Sequence, residues 1–262
     1  DRYEPAENER HDILHLNKVC AEHENGARAL DNVELTVRSF EILGIAGVAG
    51  NGQRALTEVI TGVRKTTSGQ VLIEHDIANL RADAIAELGV GHIPEDRLKS
   101  GFAGDLPVST NAVLRAYKNE PIAKGIWYHD DAAIALAEEM VADAEVSTPD
   151  VHVALRNLSG GNQQRLIAKR ECMIAKQLLV AVYPMRGLDV GAVERLREMI
   201  MERRNAGAAV VLVSEELDEL LEMSDRIAVL NHGRIVGTLD IEEASLERIG
   251  LMMGGESVEM VK

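Results

Sequence analysis

The sequence contains few cysteines, no long apolar run and no excess of positive charge. Its two cysteines, Cys20 and Cys172, lie far apart, and neither belongs to a CxxC pair. Disulfide frameworks and zinc sites need suitably spaced thiols, so we expect neither, and a reducing cytosolic compartment is the simplest interpretation. No apolar stretch approaches the roughly 20 residues that span a bilayer. Any anchor at a membrane would therefore come from another protein.

Acidic residues outnumber basic ones. The chain has 28 Lys and Arg against 43 Asp and Glu, a formal net charge of −15. A nucleic-acid partner requires clustered Lys and Arg, so this balance predicts that the chain has no such partner. With 262 residues, 46% of them hydrophobic, the chain can bury a sizeable core. We expect one compact α/β domain or a core with a subdomain.

The two ends differ in character from the rest of the chain. Residues 1–12 are polar, charged and without periodicity, which is typical of a linker or disordered head. This favours a piece of a longer polypeptide, although a processed chain would have the same sequence. Residues 241–262 predict a short C-terminal helix and a loose tail, so residues 13–240 are expected to form the domain.

Strand-like and helix-like apolar patterns alternate, which predicts a largely parallel sheet with helical crossovers. Strands are predicted at Ile13–Val19, Val33–Val37, Ile42–Ala46, Gly69–Ile73, Gly89–Ile93, Leu178–Val182 and Ala209–Val213, with a closing hairpin of Ile227–Leu230 and Ile235–Gly237. Helices are predicted at Gly52–Ile60, Ala82–Leu88, Ser109–Tyr117, Asp130–Ala144, Ser159–Met173, Val190–Asn205 and Glu216–Met223. Strand patterns almost disappear between about residues 96 and 164, which indicates an inserted helical subdomain.

A glycine-rich loop, GVAGNGQR at residues 47–54, lies between a predicted strand and a predicted helix. Its glycine spacing fits the phosphate-binding pattern GxxxxGK followed by Ser or Thr, except at the last two positions. Gln53 replaces the lysine and carries no charge, and Arg54 replaces the hydroxyl and cannot ligate a cation. A glycine-rich turn without a ligand would explain this loop equally well. The predicted nucleotide-binding residues are Gly47, Gly50, Asn51, Gly52, Gln53, Arg54 and Ala55.

A second candidate anion site is the string LSGGNQQ at residues 158–164. It opens a predicted helix, where the Ser159 hydroxyl and backbone N–H groups can face a phosphate held by a different subunit. The string has the form of the LSGGQ-type signature of ABC ATPases. The predicted signature residues are Ser159, Gly160, Gly161, Asn162 and Gln163.

Together with two further strings, these motifs carry a family resemblance. IPEDR occupies residues 93–97 and RGLDVGA residues 186–192. From about residue 13 to 237 the chain resembles ABC transporter nucleotide-binding domains, and it is most similar to the second ATPase half of tandem ATPases of sugar and nucleoside importers. The resemblance implies an α/β P-loop NTPase fold, in which a RecA-like core carries an antiparallel β subdomain and an inserted helical subdomain.

At the catalytic positions of active family members this sequence departs from the pattern. Val182 and Tyr183 replace the aspartate that supports Mg²⁺ and the glutamate that polarises water. Glu215 replaces the switch histidine, and its carboxylate would repel phosphate. The lid-loop glutamine corresponds to Glu95. The aromatic residue that stacks on adenine has no clear counterpart, and His23 is a weak candidate for this role. We therefore predict no intact catalytic residue, no metal ligand set and negligible hydrolysis at this site.

The resemblance also implies partners. Two family modules associate head to tail, so the signature residues would complete the ATP site of a second module, fused or separate. Asp189, at the D-loop position, would lie at that contact, although the same position also allows a helix N-cap or a turn residue. ATP is expected to bind weakly here or at the partner site, and Mg²⁺ retention is not supported. Transmembrane permease subunits would hold the module at the cytoplasmic face of the membrane, for uptake of a nucleoside or sugar.

Two other interpretations stay open at this point. The chain could be an autonomous ATPase that replaces the missing carboxylates from elsewhere in its sequence. It could also be a regulatory or assembly module of a non-transport ABC protein. The sequence does not identify a transported solute.

Overall fold

The computed structural model describes residues 2–255, which fall into two compact units. Of these residues, the first unit contains 2–92, 174–183 and 200–255, and the second contains 93–173 and 184–199. The end of the expected loose tail, residues 256–262, lies outside the described part. Within residues 2–255 no helix has the length and apolar character needed to cross a membrane.

A six-stranded sheet forms the centre of the first unit, in the order β12-β11-β3-β10-β9-β6. The pairs β3–β10, β9–β10 and β3–β11 are parallel, whereas β11 and β12 form an antiparallel hairpin. All residues of β3, β9 and β10 are buried, as is typical of parallel strands covered on both faces. The strands are β3 (Ile42–Ala46), β6 (Val90–Ile93), β9 (Leu178–Val182), β10 (Ala209–Val213), β11 (Arg226–Asn231) and β12 (Arg234–Asp240).

A second sheet of the first unit has the order β2-β1-β4-β5, and its pairs are antiparallel. Its long strands place apolar side chains such as Leu14 and Leu16 in the same buried cluster as the core strands. The predicted α/β fold with an antiparallel β subdomain is confirmed. The strands are β1 (Asp12–Glu22), β2 (Arg28–Arg38), β4 (Ser68–Ile73) and β5 (His75–Asp76).

The helices of the first unit follow the sequence prediction closely. They are α1 (Gln53–Ile60), α2 (Ala82–Glu87), α7 (Leu217–Met223) and α8 (Leu246–Met253). A 3-10 turn at Ile241–Glu243 precedes α8, and the Ser245 side chain caps α8 by accepting from the Arg248 N–H. The C-terminal segment therefore contains the expected short helix.

The second unit is mostly helical. Its elements are α3 (Val108–Ala112), α4 (Asp130–Asp143), α5 (Gly160–Ile174, of which all but the last residue belong here), the start of α6 (Val190–Asn205) and a small hairpin of β7 (Ala123–Lys124) and β8 (Trp127–Tyr128). The prediction that the helix at Ser109 continues to Tyr117 was wrong, because the α-helix ends at Ala112. The Asn111 side chain forms hydrogen bonds with backbone groups of Ala103, Leu106 and Pro107. Turns closed by hydrogen bonds between residues three apart follow the helix.

The N-terminal segment makes specific contacts with the first unit. The Arg2 guanidinium donates to the Met223 carbonyl at 2.6 Å, and the Tyr3 N–H donates to Asn205 at 3.1 Å. The Tyr3 ring lies 5.7 Å from the Phe40 ring, centroid to centroid. Residues 2–10 are thus attached to the unit rather than loose, and whether they link to a further domain stays a prediction.

Candidate nucleotide-binding loop and signature region

Residues 47–52 connect β3 to α1 through a turn that requires glycine. Gly50 and Gly52 have φ angles of +88° and +114°, a region that L side chains rarely adopt. A Cβ atom on Gly47 would lie 2.5 Å from the Leu230 carbonyl oxygen, and one on Gly52 would lie 2.9 Å from the Ala29 carbonyl oxygen. The glycine spacing therefore corresponds to a close-packed loop at the start of a helix.

The Gln53 side chain turns back into this loop. It is 3% exposed, and its Nε2 donates to the Val48 carbonyl at 3.0 Å. A Cβ atom on Gly47 would lie only 2.6 Å from the same nitrogen. An uncharged amide thus occupies the position from which a lysine would reach the β- and γ-phosphates.

Arg54 lies on the first turn of α1 and pairs along the helix. Its Nε donates to Glu58 at 2.7 Å, and Arg64 donates to the other oxygen of the same carboxylate at 2.9 and 2.7 Å. Burial raises the pKa of Glu58, but the hydrogen bonds from Arg54 and Arg64 outweigh it and the pKa lies below its ordinary value. Arg54, at the place where the phosphate-binding pattern has Ser or Thr, is therefore part of an ion-pair network.

Contacts with the β11–β12 turn support the loop. Asn51 Nδ2 donates to the Asn231 side chain at 3.1 Å, and the Gly233 N–H donates to the Asn51 carbonyl at 2.8 Å. Next to this turn, Arg234 and Arg28 both pair with Asp31. The hydrogen bond from Arg234 is the main reason that the pKa of Asp31 is lowered.

The two positions expected to carry catalytic carboxylates lie at the end of β9. Val182 is buried, and the Tyr183 ring packs against the core cluster of the first unit. The Tyr183 N–H donates to the Val213 carbonyl at 2.8 Å, with φ at +46°. Ala55 of the loop set is buried in the same cluster, so its side chain packs internally.

The remaining predicted positions in the first unit are exposed. Glu215 follows β10 and is exposed, while the neighbouring Ser214 hydroxyl donates to Glu219 and accepts from the Glu216 N–H. His23 is exposed in the turn after β1, where its N–H donates to the Ala27 carbonyl at 2.7 Å. No three His, Cys, Asp or Glu side chains within residues 2–255 converge as a metal site would require.

In the second unit, Ser159 stands at the start of α5 with an exposed side chain. Its hydroxyl accepts from Asn162 Nδ2 at 3.0 Å and, more weakly, from the Asn162 N–H at 3.4 Å. Asn162 in turn accepts from the Ser147 N–H at 2.9 Å. Gly160 and Gly161 follow as the first residues of a 15-residue helix that has no acidic residue in its first turn. The N-terminal end of this helix therefore keeps its favourable potential for an anion.

Two buried glutamines hold the signature segment in place through hydrogen bonds to backbone carbonyls. Gln163 Nε2 donates to the Leu158 carbonyl at 3.0 Å, and Gln164 Nε2 donates to the Pro184 carbonyl at 2.9 Å. Gln164 was not among the predicted site residues, although it is the last letter of the quoted string. The signal available in the sequence was its place within LSGGNQQ.

Asp189 and Glu95 each have structural partners. Asp189 Oδ1 accepts from the Ala192 N–H at 3.0 Å, so it caps α6, as the alternative explanation expected. Glu95 lies 3.8 Å from Arg186, the first residue of the RGLDVGA string. Both remain exposed enough to contact another protein.

The PEDR string also reaches the signature. A Cβ atom on Gly160 would lie 2.6 Å from Arg97 Nη2 and 3.5 Å from Arg97 Cζ, so the guanidinium lies directly against that glycine. In the sequence, Arg97 contributes only to the family resemblance, as part of the IPEDR string. Nothing in the chain order places residue 97 beside residue 160, so this contact depends on the tertiary structure.

The structure thus groups the predicted residues into two sets, one in each unit. The first unit holds the loop, Val182, Tyr183 and Glu215, and the second holds the signature, Asp189 and Glu95. Residues missed from the sequence are Glu58, Arg64, Asn231 and Gly233 in the first unit and Arg97 and Gln164 in the second. Of these residues, Asn231, Gly233 and Arg97 are distant in sequence from the motifs that they contact.

Comparison with known proteins identifies the family. The family model described as "ABC transporter" matches residues 30–181. The chain is 40% identical over 247 residues to the guanosine import ATP-binding protein NupO of Bacillus subtilis, covering 94% of this chain and 48% of that protein. It is 43% identical over 246 residues to the glucose import ATP-binding protein TsgD13 of Haloferax volcanii, covering 93% of this chain and 45% of that protein. The chain thus spans about half the length of these relatives.

Solved structures agree on the fold. The dimeric structure of MJ0796, a bacterial ABC transporter cassette, superposes with a TM-score of 0.74 at 22% identity, covering 87% of this chain and 99% of that one. The ADP conformation of MJ1267, an ATP-binding cassette, gives 0.73 at 21% identity, covering 93% and 95%. Since the family model matches more than half of the residues and the fold agrees, the chain belongs to the ABC transporter family and has the fold of its ATP-binding cassettes.

Proposed function

We propose that this chain is an ATP-binding module of a nucleoside or sugar importer, with a phosphate loop that does not hydrolyse ATP and a signature that completes the ATP site of a partner module. The observation that carries the proposal is the difference between these two sites. Gln53 closes the loop with an uncharged, buried amide, whereas the signature helix begins with an exposed serine and two glycines.

The loop lacks the groups that phosphoryl transfer needs. Arg54 is a donor and cannot ligate Mg²⁺, and Val182 and Tyr183 provide neither a metal-supporting carboxylate nor a base. The residues present therefore do not fit a bound Mg²⁺. Backbone N–H groups at the start of α1, which has no side-chain cap, support weak binding of ATP or ADP phosphates.

The signature region has the groups that would act on a neighbouring nucleotide. Ser159 offers a hydroxyl at the positive end of a 15-residue helix, and Gln163 and Gln164 hold the segment in place. Asp189, at the start of α6, is exposed and suited to contact a second module, fused or separate. An ATP site built across two modules needs one intact phosphate loop, which the partner would supply.

The importer role is supported by the relatives. NupO and TsgD13 are named as import ATP-binding proteins for guanosine and glucose, which favours a nucleoside or sugar as the transported solute. Transport across a membrane requires spanning subunits. We therefore infer transmembrane permease partners, with the module on the cytoplasmic face of the cell membrane.

The test uses the transporter assembled with its permease subunits and partner module. Ser159→Arg in this chain blocks the surface facing the partner phosphate, and we expect ATP turnover to fall about 100-fold, the usual effect of losing a phosphate-stabilising group. Gln53→Ala, the matched change at the silent loop, should leave turnover within about twofold. Phosphate release in proteoliposomes measures both.

Three results would contradict the proposal. If the purified chain alone hydrolyses ATP at about one turnover per second, within the ordinary enzyme range, and Arg54→Ala abolishes this activity, the chain is an autonomous ATPase. If it purifies stably with soluble partners and never with integral membrane subunits, it is a regulatory or assembly module. Equal sensitivity of turnover to Ser159→Arg and Gln53→Ala would also exclude the division of roles.

A further inference from the structure

Arg97 is positioned beside the signature by the segment that follows β6. Asp96 accepts from the Leu98 and Lys99 N–H groups at 3.1 and 3.2 Å, and this cap starts a single π-helical turn, Arg97–Gly101. The Arg97 guanidinium then lies against Gly160, where a Cβ atom would be 2.6 Å from Nη2. With a side chain at position 160, the Arg97 guanidinium would have to shift away from this position.

The acidic residues around the signature region have partners other than Arg97. Asp96 lies 3.7 Å from Lys99, and Glu95 lies 3.8 Å from Arg186. Asp189, on the Gly161 side of the signature, accepts from the Ala192 N–H. Within residues 2–255, the buried Nε of Arg97 has no hydrogen-bond partner. A guanidinium is a strong binder of phosphate oxygens, so the place of Arg97 beside the signature is suited to an anionic ligand.

We propose that Arg97 is a catalytic residue in trans, whose guanidinium contacts the γ-phosphate of the nucleotide held by the partner module, next to the Ser159 hydroxyl. This inference rests on the proposed function, because it requires the signature to face a partner's phosphate loop. It assigns the signature region a positive charge that the string LSGGNQQ itself lacks.

The chemistry is ordinary ATP hydrolysis. The oxygen of a water forms a bond to the γ-phosphorus, the bond from that phosphorus to the bridging oxygen breaks with its electron pair remaining on ADP, and a proton is released to solvent. Negative charge is spread over the three equatorial oxygens of the transferring group, and an arginine supplied from another subunit stabilises it. Arg97 would act on those oxygens without exchanging a proton, because a guanidinium stays protonated.

The experiment compares variants of this chain in the assembled transporter. We expect Arg97→Ala to lower kcat for ATP about 100-fold, with KM changed less than about threefold, because the contact forms mainly in the transition state. Lys99→Ala is the matched control: it removes one positive charge from the same π turn, at a side chain that is 83% exposed. Its kcat should stay within about twofold.

A second readout separates catalysis from a structural role. Added guanidinium ion at millimolar concentration should restore part of the activity of Arg97→Ala, whereas ethylammonium should not, because the planar fork of donors is what the phosphate needs. Arg97→Lys keeps the charge and most of the volume, and its kcat should fall about tenfold, since lysine is a point charge. Arg97→Lys therefore tests the inference even if Arg97→Ala does not fold.

The possible failures are distinguishable. If Ser159→Arg abolishes turnover while Arg97→Ala and Arg97→Lys remain within twofold of the unmodified transporter, this inference is wrong and the proposed function stands. If Arg97→Ala lowers both kcat and the melting temperature and guanidinium restores nothing, Arg97 is structural only. If Ser159→Arg also leaves turnover unchanged, the proposed function itself is wrong.

Discussion

The phosphate loop and the signature region differ in where their polar groups are directed. In the loop, Gln53 and Asn51 bond to the Val48 carbonyl and to the Asn231 side chain, so both amides are used within the unit. In the signature region, the Ser159 side chain remains exposed and Arg97 presses against Gly160 without a partner for its Nε. The side-chain amides of the phosphate loop thus bond within their own unit, whereas the signature region has polar groups available for a ligand.

The glycines of the loop are needed for close packing, separately from any role in binding phosphate. Gly47 and Gly52 approach the carbonyl oxygens of Leu230 and Ala29 so closely that a side chain would collide, whether or not a phosphate binds. Packing alone therefore requires these glycines. Glycine spacing by itself is therefore weak support for hydrolysis.

The interactions that stabilise the two sites also differ. The largest expected effect on the free energy of unfolding concerns α5, the helix that begins at the signature. Glu171 is fully buried on α5, where Arg170 and Arg115 pair with its two oxygens at 2.8 and 2.5 Å. Glu171→Ala should lower the free energy of unfolding by about 3–5 kcal/mol, because it leaves buried positive charge without its carboxylate. Denaturant unfolding measures this. Glu198→Ala, at a side chain 63% exposed and paired with Arg195, is the control and should change stability by under about 1 kcal/mol.

At the phosphate loop the support is close backbone packing. Gly47→Ala places a Cβ 2.5 Å from the Leu230 carbonyl oxygen, and we expect a loss of about 1–3 kcal/mol through overpacking. Gly250→Ala is the matched control, because a Cβ there meets nothing within 4 Å and alanine favours its helix. Thermal unfolding of both variants, without nucleotide, is the measurement. Equal stability of the two would show that packing does not require Gly47.

Adding one positive charge to the loop tests whether ATP binding can be increased without ATP hydrolysis. Gln53→Lys should tighten ATP binding about tenfold, or 1.4 kcal/mol, because an ammonium would replace the neutral amide beside the loop. Phosphate release should remain absent, since Val182 and Tyr183 still provide no carboxylate. Titration calorimetry on the purified chain measures binding, with Gln70→Lys as an exposed control of equal charge. Appearance of turnover in Gln53→Lys would show that the missing carboxylates are not limiting.

The smallest expected effect is a pH dependence at α1. The pKa of Glu58 is lowered in the folded chain, so its pairing with Arg54 and Arg64 contributes stability that is fully present above the unfolded value of about 4.3. That contribution is lost as the pH falls through the lower folded pKa. At neutral pH we expect Glu58→Gln to lower the free energy of unfolding by about 1 kcal/mol. The difference in melting temperature between the unmodified chain and Glu58→Gln should therefore shrink as the pH drops below about 4.3. A constant difference down to pH 2 would contradict the assignment.

Local patterns in the sequence predicted most of the fold. The buried runs at Ile42–Ala46, Leu178–Val182 and Ala209–Val213 are strands with those same bounds, because a strand buried on both faces is a continuous apolar run. The prediction failed at α3, where Asn111 uses its amide on the preceding loop and the helix stops early. A bond from a side chain to the backbone of the preceding loop leaves no trace in apolar periodicity.

The sequence by itself determined the strand and helix order, the two glycine-containing motifs and the absence of a carboxylate at residues 182 and 183, because each depends on residue types at short spacing. Only the tertiary structure decided that Gln53 is buried in its own loop, that the β11–β12 turn holds Asn51, and that Arg97 lies on Gly160. These contacts join residues up to 180 positions apart. Which groups meet at such separations is set by the packing of sheets and helices, and no local pattern encodes it.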